Sequence, residues 1–196
     1  MAATTRRHGE ALLRAIHAAV RAEVAAHGYA GTTYEGVAKR AGTSKPVLYR
    51  RWPTKAGMVL DAFLEARPGL TVPADTGSLS GDLKAFLRTA QSMMERAGRQ
   101  TLLGLLAELD PSAGEAVREL LFARGADVLG PLLDRARRRG ELGDAPLPIG
   151  IAGPALDLVR HEVLIVGSLT DEKLDAIVDE IAVPLLTARS RLSTGS

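Results

Sequence analysis

The stretch TTYEGVAKRAGTSKPVLYRRWPTK, residues Thr32 to Lys55, decides how this chain is read. It divides into two short helices around a tight turn. Val37, Ala38 and Ala41 recur at helical spacing and give the first helix an apolar stripe. Gly42 follows, free to take the positive φ that helix ends commonly need. Thr43 or Ser44 can cap the second helix, and Pro46 is tolerated in its first turn because the N–H it lacks would be unpaired there. Val47 and Leu48 can pack back on the first helix, which leaves Ser44, Lys45, Tyr49 and Arg50 on a short basic helix. One helix braces while the other offers donors to a DNA groove, as a helix-turn-helix requires.

The order Thr-Thr, Val-Ala-Lys-Arg-Ala-Gly, Ser-Lys-Pro-Val-Leu-Tyr, Arg-Arg-Trp-Pro-Thr-Lys resembles the N-terminal DNA-binding domain of TetR/AcrR-family transcriptional regulators. The resemblance covers roughly the first third of the chain, and its motif is long and ungapped. Three positions depart from the family pattern. Gly36 sits inside the first helix, where a helix-favouring residue would be about 1 kcal/mol better. Thr43 fills a turn position that is often apolar, and Trp52 stands where Phe is more usual.

Working outward, Leu12, Leu13, Ile16, Val20 and Val24 recur at three- and four-residue steps, predicting an amphipathic helix from about Gly9 that Gly28 stops. A fourth helix opens at Pro53-Thr54 and ends near Arg67-Pro68-Gly69; in the family it joins the DNA head to the body. The expected division is therefore residues 1–67 as the helix-turn-helix domain with its connecting helix, and residues 68–196 as a helical regulatory and dimerisation domain. After a Pro/Gly/Ser/Thr loop, helices are expected from Asp82 to Ala97, Thr101 to Leu109, Ser112 to Arg139, Ile151 to Gly167 and Asp171 to Ser190. Gly125 and Gly130-Pro131 predict a kink or break in the longest. The basic run Arg135, Arg137, Arg138, Arg139 suits a helix C-terminus facing solvent better than a nucleic-acid patch.

Composition agrees with an all-α chain. Of 196 residues, 46% are hydrophobic and only 4% aromatic, with the apolar mass mainly Ala, Leu and Val. Charge is unevenly placed. Residues 1–57 hold ten Lys and Arg against three Asp and Glu, and residues 58–196 hold fifteen against twenty, so a +7 head precedes a −5 body. That asymmetry fits a DNA-reading head on a body with another task. The absence of cysteine excludes disulfides and thiolate metal sites and is compatible with a reducing cytoplasm. No signal peptide or membrane-spanning run is expected, so the reading is cytoplasmic with no membrane partner.

The functional expectation is a double-stranded DNA operator read in the major groove. Lys45 can reach base acceptors or phosphate, and Tyr49 a phosphate or a thymine methyl. Thr33, Ser44 and Lys55 are placed for phosphate oxygens near helix N-termini, while Thr43, Val47 and Arg50 complete the candidate set. Resemblance to the family implies a C-terminal pocket for a small-molecule effector and a homodimer formed by the last two helices. Leu156, Val159, Val163, Leu164 and Val166 on one, and Leu174, Ile177, Val178, Ile181, Val183 and Leu185 on the other, exceed what an edge helix needs to bury. Met93, Met94, Leu105, Phe122 and His161 are candidate pocket residues, with core packing the competing fate.

Enzyme chemistry finds no motif: there is no phosphate-binding glycine loop with its lysine and no nucleophile elbow, and His161-Glu162 lacks the second histidine of a zinc-protease helix. His8, His17, His27 and His161 lack metal spacing, and no cofactor is expected. The rival readings are a helical ligand-binding or scaffolding protein that reads no specific site, and a small helical enzyme.

Overall fold

A computed structural model describes residues 2–65, 71–109 and 111–192, with the side chains of 2–8, 111–113, 116–118 and 120–124 left aside. Among the described residues every regular element is helical, and the chain divides into two compact units. The first comprises Met1–Arg67 with Gln100–Glu115; the second comprises Pro68–Arg99 with Ala116–Ser196. The first unit thus takes in a later segment that a single boundary after Arg67 does not contain.

In the first unit, α1 (Ala2–Gly31) leaves helical geometry at Gly28 (φ 68°, ψ 175°), the stop expected from sequence. Thr32 closes the bend, its buried hydroxyl donating to the Gly28 carbonyl at 2.7 Å. Then α2 (Tyr34–Ala41), α3 (Lys45–Arg51) and α4 (Lys55–Glu65) follow in quick succession. Val20 and Val24 of α1, Val37 and Ala38 of α2, Leu48 of α3, and Met58 and Val59 of α4 bury one another, with Trp52 as the aromatic plug. Trp52 keeps the place the resemblance gave it. Leu105, from α6 (Arg99–Glu108), joins the same core.

In the second unit, α5 (Leu79–Ala97) starts three residues before the expected Asp82 because Ser78 caps it, accepting from the Gly81 N–H at 3.0 Å. Gly98 (φ 82°) ends it. The following long helix, α7 (Pro111–Arg138), runs through Pro131 without a break. Short α8 (Ile149–Ala152), α9 (Pro154–His161), α10 (Asp171–Ala176) and α11 (Val183–Ser190) complete the unit. Phe86 and Leu87 of α5, Leu129 and Leu132 of α7, Val159 of α9, and Leu174, Val178 and Leu186 form its core.

The last two expected helices are not uniform α-helix. A π-helical turn, Glu162–Val166, follows α9, and Gly167 (φ 99°) closes it by donating to the Glu162 carbonyl at 2.8 Å. A second π-helical turn, Ile177–Ala182, lies just before Pro184, whose ring and missing N–H oppose a normal turn at that point. The basic run at the end of α7 also departs from expectation. Arg135 donates to the Pro73 carbonyl, Arg137 to the carbonyls of Gly143 and Ala145, and Arg139 to Asp75, Asp82 and Glu141. Three of the four guanidinium groups are therefore half-buried loop clamps; only Arg138 faces solvent.

Candidate DNA-binding interface

The turn that presents α3 is built by local chemistry. Gly42 takes the left-handed conformation (φ 64°, ψ 35°), and the next N–H, of Thr43, donates to the Ala38 carbonyl at 3.0 Å. Half-buried Thr43 is thus held by its backbone. Thr33 caps α2 from an exposed position, its hydroxyl accepting from the Gly36 N–H at 3.0 Å. Ser44 occupies the cap position of α3, but its exposed hydroxyl makes no capping bond; only its carbonyl is used, accepting from Val47 and Leu48.

Helix α3 is anchored along one line and open along another. Leu48 is fully buried, and Trp52 just beyond the helix is buried as well. Lys45, Tyr49, Arg50 and Arg51 are exposed. Lys45 lies 3.2 Å from Glu35, a pair open to solvent at both ends and easily exchanged for another anion. Tyr49 stacks on Tyr34 with ring centroids 4.1 Å apart and an interplanar angle of 20°. Tyr34 in turn donates its hydroxyl to the Trp52 carbonyl at 2.8 Å. Burial, reinforced by neighbouring Tyr49, holds the Tyr34 phenol above its ordinary pKa, so it remains a donor. Tyr34 therefore fixes where Tyr49 points, a role its place in the sequence did not reveal.

Val47 is half-buried and lines a surface groove of about 370 Å³ with Gly9, Leu12, Leu13 and Ile16 of α1 and Arg50 and Arg51 of α3. Lys55 is placed differently from the other candidate cations. Its side chain is only 21% exposed, 3.3 Å from Glu108 and 4.3 Å above the Tyr29 ring.

Two supports beneath the interface were not visible in the helix-turn-helix stretch. Buried Glu23 of α1 accepts from Arg40 of α2 and lies directly against Gly36, where a Cβ would overlap its carboxylate. Gly36, which helix propensity alone marks as a weakness, is the residue that admits this carboxylate. In the second support, Asp61 of α4 accepts from the Trp52 indole N–H at 3.0 Å and lies 3.2 Å from His17 Nε2. Arg21 of α1 also donates to the Ala62 carbonyl at 2.9 Å, tying the two helices together.

The candidate pocket residues fall in both units. Leu105 belongs to the core of the first unit. Met94 packs on the core of the second, Met93 beside it is half-buried, and His161 is exposed at the end of α9. The Phe122 side chain lies outside the described residues. Of the remaining histidines described, His17 meets Asp61 and His27 lies 3.9 Å from Glu23.

Known proteins place this arrangement. Residues 16–62 match the model of bacterial regulatory proteins of the tetR family, and residues 73–181 match the tetracyclin repressor-like C-terminal domain. The chain is 30% identical over 170 residues to the uncharacterized HTH-type transcriptional regulator Rv1556 of Mycobacterium tuberculosis, covering 82% of this chain and 81% of the relative. It is 29% identical over 171 residues to the DNA-binding transcriptional repressor TetR of Mycobacteroides abscessus, covering 84% of this chain and 88% of that one. A crystal structure of the TetR family transcription regulator SCO0332 superposes with a TM-score of 0.67 at 29% identity, over 88% of this chain and 97% of the other. An exposed basic helix on a buried Leu48–Trp52 anchor, in a chain matched at both its N- and C-terminal parts, identifies a DNA-binding transcriptional regulator that belongs to the tetR family.

Proposed function

We propose that this protein is a homodimeric repressor that α3 seats in the major groove of a near-palindromic operator, and that a small-molecule effector releases it. The observation that carries the reading is the single open line of Lys45, Tyr49 and Arg50 on a helix whose other side is fixed by Leu48 and Trp52. A reader needs donors free and a backbone that does not move, and this helix combines the two. Lys45 is the base or phosphate contact, Tyr49 a contact pre-oriented by Tyr34, and Arg50 a backbone contact. Thr33, Thr43 and Ser44 meet the phosphates flanking the groove, Lys55 meets one at the start of α4, and Val47 offers an apolar contact.

The dimer face is the outer side of the last two helical segments. Of the apolar residues there, Leu156, Val159, Val163, Leu174, Ile177 and Val178 are used by the unit's own core. Ile165 (60% exposed), Val166 (59%), Ile181 (47%) and Leu185 (40%) are left over. Covering them with the same residues of a second copy is the economical solution. A DNA partner puts the site of action in the cytoplasm, and no catalytic step is assigned. An effector acts here by binding more tightly to a conformation whose two heads no longer match successive grooves about 34 Å apart.

The test is direct. Lys45→Ala or Tyr49→Ala should weaken binding to a duplex selected from a random pool by about tenfold, or about 1.4 kcal/mol, with helical content and dimerisation retained. Unchanged affinity in both variants would remove α3 as the reader.

A further inference from the structure

Two charges in the first unit stand at the wrong ends of their helices. Lys55 is the first residue of α4, where the helix dipole already presents positive charge, and Glu108 is the last residue of α6, where it presents negative charge. Neither placement helps its own helix. Each is compensated by the other: Lys55 Nζ is 3.3 Å from Glu108 Oε1, and Tyr29 donates its hydroxyl to Glu108 Oε2 at 2.7 Å. Both residues belong to the same compact unit.

The carboxylate is also held firmly. Leu105, one turn back on α6, is buried in the helix-turn-helix core, and Gly104 lies so close to Tyr29 that a Cβ would meet its ring at 2.5 Å. The Tyr29 hydroxyl, outweighing burial and helped by Lys55, keeps the Glu108 carboxyl below its ordinary pKa. The carboxylate is therefore charged throughout the neutral range. The Glu108 carboxylate thus holds the cation that a DNA phosphate at the start of α4 would use.

We propose that Glu108 is an intramolecular stand-in for a DNA phosphate at Lys55, so that a residue outside the helix-turn-helix sets how tightly the head binds DNA. The inference rests on the DNA-binding reading of Lys55 given above. DNA must displace Glu108 before Lys55 can pair with a phosphate. Removing the Glu108 charge strengthens binding, and the freed cation adds to the counterions released.

The experiment measures binding of wild type, Glu108→Gln, Lys55→Ala and the double variant to a labelled duplex from a random-pool selection and to a mixed-sequence duplex of equal length, across a salt series. The glutamine keeps an acceptor for Tyr29. The expected result is about two- to fivefold tighter binding for Glu108→Gln, scaled to an exposed ion pair, on both duplexes. Its salt slope should be steeper by up to about 0.9 per head. In the Lys55→Ala background the gain should vanish. Equal affinity of Glu108→Gln and wild type overturns the proposal, as does a gain that survives in Lys55→Ala, which marks a general charge effect. Glu108→Asp, with its carboxylate withdrawn by one methylene, gives the same test at smaller amplitude if the glutamine variant folds poorly. Failure of wild type to bind either duplex would instead refute the DNA-binding reading itself.

Discussion

Gly36 shows how far a single residue can be read from its neighbours in sequence. Local propensity makes it a defect in α2, yet the Glu23 carboxylate of α1 occupies the space where its side chain would be. Gly36→Ala should therefore destabilise the protein. The methyl pushes the Glu23 carboxylate off its charged hydrogen bond to Arg40, a loss of about 1.5–3 kcal/mol that exceeds the helix-propensity gain of about 1 kcal/mol. A thermal midpoint at or above the wild-type value would show that Glu23 moves aside freely. The exposure of the candidate readers Lys45, Tyr49 and Arg50 was legible from their polar groups beside apolar Leu48. Lys55 was legible as a cation at a helix start. Its partner was not, since Glu108 is distant in sequence and no spacing rule joins the two.

At the scale of elements, the boundaries of α2 through α5 followed from residues whose chemistry is local. Gly42 supplies the left-handed turn, and Thr33, Thr54 and Ser78 accept from nearby N–H groups. At Pro131 the local rules allowed a kink or a break, and α7 continues through it without a break. The π-helical turns had a visible cause only at Pro184. The polar ties that bind one element to the next are non-local and were missed. Asp61 is the clearest case: it lies between the Trp52 indole and His17, a buried ring whose Nδ1 has no partner among the described residues. The Asp61 carboxylate accepts, so the facing Nε2 of His17 donates to it. Asp61→Ala strips the acceptor from both donors and should cost about 1–3 kcal/mol. Chemical denaturation checks this, and an unchanged midpoint with an unchanged slope would remove the Asp61 network as the tie between α4, Trp52 and α1.

Across the whole molecule, the charge asymmetry and all-helical composition were visible from the sequence, whereas the membership of Gln100–Glu115 in the first unit was not. The acidic body has a polar support of its own in fully buried Asp82. Burial alone would raise its pKa, but hydrogen bonds from the Thr76 backbone and side chain, with the bond and charge of Arg139, lower it below the ordinary carboxylate value. A carboxylate depressed in the folded state stabilises it fully above the unfolded pKa and progressively less as pH falls through the folded one. Stability should therefore drop as pH falls from the ordinary carboxylate range, near about 4, toward the lower folded value. Asp82→Asn should cost about 2–3 kcal/mol at neutral pH and flatten that acid limb. An identical acid limb in the variant would assign the loss to other carboxylates.

Selection of bound sequences from a random DNA pool at near-physiological salt tests the central claim most directly. A dimer reading through two copies of α3 predicts enrichment of an inverted repeat, with half-site centres about 10 base pairs apart or a multiple of that spacing. The absence of any enriched sequence from a folded, dimeric preparation would contradict it.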